Sequence, residues 1–504
     1  MSRRSGVISS YALLFAQVVS SLLFTPYLIR SLGQAEYGLY SLVASITAYF
    51  LLLDAGVGNA LVRYIAKYRV SEDLAQQRRL LGLSLLYYIG IAFLVLVLGA
   101  MIRGYLPQIF GRGLTSIELI RAGRMLDITL LQAASLLVFS AFNRTLIAYE
   151  RFVLSKGLAI VELALRVSIL TALLHMGFGA LTIVTVNLVL TIGIGCVSAW
   201  YVLFRIGLRP TLRGLELSFA KEVIGYSSFI FVQMIATQVN DMTDQILLGI
   251  MTTSSIIGVY AVGALLSSYF RSIAGAINGV LMPGVVRMVE TGQSAQALLD
   301  EMVKVGRLVF MVMGVVLVGF AVSGRRFVSL WVGADNGEAY WVALILMVAA
   351  ILTLVQSIGT QILWAMGKHK IQALLMVGVA AANLGLSILL IRWNPLVGAA
   401  LGTAFAVIAG NVAAMTVVFA REMRISPQRY YAGLTAGIVP CLVVAGVAGA
   451  LFSLLRLAGW SGVLIEVAVV LMVYTACMLR FGMNGYEKRL FVQALRSSRP
   501  QAAR

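Results

Sequence analysis

The chain has 504 residues, 60% of them hydrophobic and 12% charged, with a mean hydropathy of +0.94. Soluble domains carry about 25% charged and about 45–50% apolar residues, so an ordinary globular enzyme is excluded. The net charge of +19 does not point to nucleic acid, because the basic residues are dispersed among short loops, a pattern that reports membrane topology.

Apolar runs long enough to cross a bilayer recur along the chain, which predicts an all-α, polytopic membrane protein. A transmembrane barrel would show alternating segments of about ten residues instead. The start, Met1–Ser5 followed by a full-length span without a small-residue cleavage site, predicts no cleaved signal peptide. Fourteen spans are expected, at about 7–29, 38–62, 80–102, 125–147, 153–175, 178–204, 222–250, 256–282, 305–327, 339–365, 371–391, 397–420, 432–455 and 460–480. With both termini placed in the cytoplasm, the inside segments, span ends included, carry 28 of the 39 Lys and Arg. Outside segments carry 9, and Arg166 and Arg271 lie within spans. That asymmetry selects the orientation.

The first span carries Gln17, Ser21 and Thr25, with Pro26 at its outer end. Asp54, Asn59 and Arg63 mark the inner half of the second, where Asp54 is read as a partner of Arg63. Asn143 and Arg144 mark the inner end of the fourth. The fifth holds Glu162 and Arg166, whose spacing of four allows an intrahelical pair; a structural pair and a ligand site both fit it. In the seventh, Gln233, Thr237, Asn240, Asp241 and Asp244 share one helical face, and in the eighth Ser267, Arg271 and Asn278 do the same. Ionised groups at that depth cost about 2.5–3.5 kcal/mol on insertion scales, so they mark function. Two readings of Arg271 stand: contact with an anionic substrate through its bidentate fork, or an ion pair with Asp241 or Asp244. The acids, with Glu162, are the candidates for ion coupling, since burial and mutual repulsion favour protonation. Asp127, Glu466 and Arg30, near the outer interface, are expected to act as anchors.

His175 and His369 are isolated, Cys196, Cys441 and Cys477 lie in apolar spans, and no cluster has metal-ligand spacing. No phosphate-binding Gly-x-x-x-x-Gly-Lys-Ser/Thr loop is present. Neither an enzyme site nor a cofactor is expected.

An internal repeat is visible. Val7-Ile8 and Phe15-Ala16-Gln17 match Val223-Ile224 and Phe231-Val232-Gln233, and Gly38-Leu39-Tyr40 matches Gly258-Val259-Tyr260. Ser168-Ile169-Leu170 and Gly179-Ala180 match Ser387-Ile388-Leu389 and Gly398-Ala399 at nearly the same offset. A six-span repeat is parallel, with a transport path expected between its copies. The expected organisation is an N-terminal lobe at 1–204, a basic linker at 205–221, a C-terminal lobe at 222–420, two extra peripheral helices at 421–480 and a basic tail at 481–504.

Several stretches carry a family resemblance. Pro26-Tyr27-Leu28-Ile29-Arg30-Ser31-Leu32-Gly33, Glu36-Tyr37-Gly38-Leu39-Tyr40, Leu53-Asp54-Ala55-Gly56 and Arg63-Tyr64-Ile65-Ala66 resemble the opening of Wzx-type polysaccharide flippases. These belong to the multidrug/oligosaccharidyl-lipid/polysaccharide exporter superfamily. Asp241 to Gly249 followed by Gly258-Val259-Tyr260, and Asn383-Leu384-Gly385-Leu386 with Val397-Gly398-Ala399-Ala400-Leu401-Gly402-Thr403, resemble later helices of the same family. The resemblance implies two six-helix lobes around a cationic central cavity in a bacterial inner membrane. It implies that an undecaprenyl-pyrophosphate-linked oligosaccharide is moved to the outer leaflet by alternating access, for O-antigen or exopolysaccharide synthesis beside other polysaccharide-assembly membrane proteins. Arg271 and Arg166 fit such a cavity by position, Arg30, Arg63 and Arg144 its rim, and Gln17, Gln233 and Asn278 its polar lining. The alternatives are a cation-coupled multidrug exporter of the same superfamily and a membrane polysaccharide polymerase or glycosyltransferase.

Overall fold

The computed structural model describes residues 3–212, 217–455 and 457–489 of the chain. Regular structure is helical throughout the described residues, which satisfies backbone N–H and C=O groups within each segment, as lipid requires.

Helix α1 (Arg3–Phe50) has 48 residues and is interrupted at Gly33, whose φ of 77° and ψ of 168° are not helical. An unbroken helix of that length would measure about 72 Å, more than twice the hydrocarbon thickness. The glycine therefore divides it near the two spans expected there. A tight turn at Leu51–Asp54, closed by Ala55 (φ 48°) and Gly56 (φ 78°), precedes α2 (Val57–Val70). The second expected span is thus broken beside Asp54.

Helix α3 (Leu74–Phe110) starts on Asp73, which accepts from the Gln76 N–H at 2.9 Å. Helix α4 (Ser116–Ala148) starts on a capping box in which Thr115 and Glu118 satisfy each other's backbone N–H. Then follow α5 (Phe152–His175) and α6 (Ala180–Trp200), the latter running into a π-helical turn at Tyr201–Arg205. The remaining helices are α7 (Leu217–Met251), α8 (Ser254–Glu290), α9 (Ala295–Val332), α10 (Ala339–Leu354), α11 (Ser357–Ala365), α12 (His369–Ile391) and α13 (Pro395–Val407). A π-helical stretch at Ile408–Ala414 leads into α14 (Met415–Glu422), followed by α15 (Pro427–Thr435), α16 (Ile438–Ser453) and α17 (Gly459–Cys477).

Ten described helices are long and apolar enough to cross a membrane, or twelve if the pairs α10–α11 and α15–α16, each bent by 42°, count as one span apiece. The chain is a multi-pass membrane protein. Two of the fourteen expected spans fall in the single stretch Ala16–Val70. Another falls in α7, whose first side chains lie outside the described residues.

Two compact units result. The first comprises Met1–Ala261 with Ala380–Ala399, the second Val262–Val379 with Ala400–Arg504. In the first, α4 is central, packed on α3, α6, α2 and α1. Within the second, α15, α16 and α17 dock on α9 around a core of Met311, Ile438, Leu442, Ala445, Val470, Tyr474 and Met478.

One buried cation organises that docking. Arg307 on α9 donates from Nε to Glu487 at 2.6 Å, and its other nitrogens reach the carbonyls of Gly433, Ala436 and Gly482 at 2.8–2.9 Å. These carbonyls end α15 and the turn after α17, where helices leave acceptors unsatisfied. The expected peripheral helices are therefore bound to the second unit through a five-donor guanidinium. Glu466, expected as an interfacial anchor, is 2% exposed and accepts from Arg326 at 2.5 Å.

Candidate functional site

The first unit holds a half-open cavity of about 460 Å³, walled chiefly by α4, α5 and α6 and reaching Asp54 at the break before α2. Its size falls within the roughly 300–1,000 Å³ typical of small-molecule sites. Four ionisable side chains line it: Asp54, Arg144, Lys156 and Glu162.

Each acid has a local partner. Tyr88 on α3 donates to Asp54 at 2.6 Å. Arg166 donates to Glu162 at 2.5 Å, one helical turn away, so the expected intrahelical pair forms. The cations are less engaged. Arg144 makes one long contact, 3.4 Å to the Asn59 side-chain oxygen. Among the described residues Lys156 has no hydrogen-bonding or ionic partner. Its neighbour Ser155 donates to Asn143 Oδ1 at 2.7 Å, which leaves the Asn143 amide nitrogen as a further donor on the cavity wall.

The Arg144 head rests on Gly58. A Cβ at that position would lie 2.7 Å from Arg144 Nε and 3.3 Å from Tyr88 Oη. The glycine at the start of α2 therefore makes the room in which Arg144, Tyr88 and Asp54 assemble.

A second polar cluster in the first unit surrounds Asp244, which is 2% exposed. Tyr260 on α8 donates to its Oδ2. Ser387 Oγ, on α12, lies 2.9 Å from Asp244 Oδ1 and 3.0 Å from Asn383 Oδ1. Asn383 in turn donates to Asn240 at 3.2 Å. A hydroxyl has one proton, so Ser387 serves one of its two acceptors at a time while Asp244 is ionised. A proton on Asp244 lets the carboxyl donate to Ser387 and Ser387 to Asn383, satisfying both.

Of the residues expected from sequence, Arg144 and Glu162 line the cavity and Arg166 joins it through Glu162. Asp54 also lines it and receives the Tyr88 hydroxyl. Gln17 and Arg30 are exposed on α1, and Arg63 is exposed on α2, 5.8 Å from the Tyr64 ring. Gln233 and Asp241 are half-buried on α7. Arg271 is exposed on α8 and belongs to the second unit, whereas Asp241 and Asp244 belong to the first. The side chain of Asn278 lies outside the described residues.

Lys156, Tyr88, Tyr260 and Ser387 were not marked by sequence as site residues. Tyr260 had a signal in its repeat match with Tyr40; Lys156 reads in sequence as one more basic anchor.

No curated protein matches the chain by sequence. Solved structures do match in three dimensions. The lipid II flippase MurJ, in an inward closed conformation, matches with a TM-score of 0.70 at 14% identity, over 94% of this chain and 98% of that one. The MATE multidrug transporter DinF-BH in complex with R6G gives 0.60 at 15% identity, over 84% and 96%. An inward-facing MATE-family multidrug resistance transporter of the MOP superfamily gives 0.59 at 15% identity, over 81% and 96%. The fold is thus that of MOP-superfamily transporters. By sequence, the profile of the polysaccharide biosynthesis protein family matches residues 5–289, more than half of the chain, and the chain belongs to that family.

Proposed function

We propose that the protein is a flippase that carries an undecaprenyl-pyrophosphate-linked oligosaccharide from the cytoplasmic to the outer leaflet, for assembly of a surface polysaccharide. The observation that carries this reading is a cavity lined by lightly engaged cations inside a bundle of the polysaccharide biosynthesis family. The anionic head enters the protein, the polyprenyl tail stays in lipid, and the bundle alternates between two openings. No covalent bond changes.

The Asp244 cluster supplies a means of coupling to protons. Protonation reverses the bond between Ser387 and Asp244 and lets Ser387 donate to Asn383, so uptake and release of one proton change the bonding between α7 and α12. A ligand biases an equilibrium between two states only by its differential affinity for them, and this change of bonding is the proposed source of that difference for the proton.

Deleting the gene tests the proposal. A flippase-deficient strain accumulates single lipid-linked repeat units on the cytoplasmic face and loses its surface glycan. Single units displayed outside would instead identify a polymerase. The buried acid also suits a cation-coupled multidrug exporter; under that reading the deletion abolishes efflux of a cationic dye and leaves the glycan intact.

A further inference from the structure

We propose that Arg78, Arg79, Arg205 and Arg209 form a binding site for the phosphate headgroup of an anionic glycerophospholipid at one end of the first unit. None of the four lines the cavity, so the proposal does not rest on the flippase reading.

The placement follows from where α6 leaves the lipid. Leu181, Val189, Ile192, Val197, Trp200 and Phe204 are exposed along one side of it. The stretch from Leu181 to Phe204 measures about 35 Å, close to the hydrocarbon thickness of about 30 Å. Phe204 therefore closes the lipid-facing stripe, and Arg205 stands at headgroup level, on the side that the excess of Lys and Arg assigns to the cytoplasm. The Trp200 indole N–H has no hydrogen-bond partner among the described residues, as suits a ring at the interface.

The chain after α6 then folds back onto α3. The Ile206 and Leu208 N–H groups donate to the Tyr201 and Val202 carbonyls at 3.0 and 3.1 Å, and the Thr211 N–H donates to the Arg78 carbonyl at 3.1 Å. Gly82 makes the room, since a Cβ there would lie 2.3 Å from the Thr211 carbonyl oxygen. Arg209, two residues before Thr211, is thereby held near the first two turns of α3, which carry Arg78 and Arg79.

Elsewhere in this unit arginines find carboxylates: Arg69 meets Glu150, Arg103 Asp127, Arg121 Glu36 and Arg166 Glu162. The side chains of Arg78, Arg79, Arg205 and Arg209 have no hydrogen-bonding or ionic partner among the described residues, and Arg78 Nε is buried without an acceptor. The acids of the same stretch do not compensate them: Asp73 caps α3, and Glu72 lies on an exposed turn. A buried donor without an acceptor favours an anionic guest, guanidinium forks grip phosphate oxygens, and basic clusters at the cytoplasmic end of a span recognise anionic lipid. The exposed Trp200, Phe204 and Leu212 side chains offer an apolar surface to acyl chains, which a water-soluble phosphate would not use.

The test uses the full chain in a neutral detergent, with native mass spectrometry counting retained lipid. Phosphatidylglycerol is expected to be retained several-fold over phosphatidylcholine, and the double variant Arg205→Ala with Arg209→Ala to lower that retention about tenfold. Arg78→Ala should act in the same direction. Arg112→Ala with Arg124→Ala, which removes two exposed arginines at the opposite end of α3 and α4, should leave retention unchanged. Thermal melts identify any variant that has lost its fold; Arg205 and Arg209 are exposed, so their variant carries the test if Arg78→Ala unfolds. Equal retention of the two lipids, or an equal loss in the Arg112 and Arg124 variant, would overturn the site. Displacement of phosphatidylglycerol by an equal concentration of inorganic phosphate or of farnesyl pyrophosphate would overturn its assignment to a phospholipid.

Discussion

Gly38 on α1 and Gly258 on α8 lie against each other at a reciprocal crossing. A Cβ on Gly38 would sit 1.9 Å from the Ser254 carbonyl oxygen and 2.9 Å from Gly258 N; one on Gly258 would sit 2.3 Å from the Gln34 carbonyl oxygen and 3.3 Å from Gly38 N. The two glycines are repeat equivalents, and Gln34 and Ser254 are separated by the same sequence offset. The contact is therefore isologous, each copy of the repeat presenting the same glycine to the other's backbone. Small residues at such crossings let helix backbones approach closely in a membrane.

The crossing yields the first prediction. Gly38→Val cannot be absorbed by a flexible neighbour, because the atoms in its way are backbone. It should force α1 and α8 apart and break the bonds from Ser41 (2.9 Å) and Ser45 to the Gln245 side chain below the crossing. In a background lacking Cys196, Cys441 and Cys477, a Ser45→Cys probe should become several-fold more reactive toward a water-soluble thiol reagent when Gly38→Val is added. Unaltered protection of that cysteine would show that the glycine contact does not set the spacing of α1 and α8.

Asp244 and Asp241 should separate cleanly. Asp244 is buried among Tyr260, Ser387 and Asn383, whereas Asp241 is half-buried. Asp244→Asn removes the titrating group while keeping its size, so surface-glycan output should fall strongly and lose its response to the proton gradient. Asp241→Asn should leave most of the output. Ser387→Ala should cost about 1–3 kcal/mol of stability, since it strips a donor from a buried acceptor. Equal glycan output in the two Asn variants would exclude Asp244 as the coupling group.

How much of this was legible in sequence depends on the range of each interaction. Glu162 and Arg166 were readable because a spacing of four brings them together on any helix. The spans were readable because bilayer thickness imposes their length. The partners of Asp244 were not, since Ser387 and Asn383 arrive from a helix 143 residues away and nothing local marks the pairing. Lys156 was hidden by its company: basic residues at span ends are so often topology signals that one lining a cavity looks the same. Asp54 was read as a partner of Arg63 because they share a helix in sequence, yet the break at Leu51–Gly56 sets it beside Tyr88.

Arg307 should be a stability residue of the second unit. Removing it leaves Glu487, 4% exposed, as a buried charge without its cation, and strands the Gly433, Ala436 and Gly482 carbonyls. Arg307→Ala is expected to destabilise the protein by about 3–5 kcal/mol. Adding Glu487→Leu should recover part of that loss, because the orphaned charge disappears with it. Chemical denaturation in detergent measures both, and equal stability of Arg307→Ala and wild type would remove the hub from the account of how α15–α17 dock.

Gly58 offers a test of the cavity that leaves both of its cations in place. A Cβ there would meet Arg144 Nε at 2.7 Å and Tyr88 Oη at 3.3 Å. The guanidinium is the far end of a flexible side chain, so Gly58→Ala should displace it rather than unfold the bundle. Pyrophosphate affinity should then fall by several-fold while the melting temperature changes little. Gly58→Val, with two further methyl groups, should lower affinity more and should also disturb the Tyr88–Asp54 bond, which is 2.6 Å long. The ordering Gly, Ala, Val in affinity, measured by calorimetric titration of the full chain in detergent with inorganic pyrophosphate, is the expected outcome. If all three bind pyrophosphate alike, the position of the Arg144 head does not matter to the anion, and Arg144 is not among the cations that receive the head group.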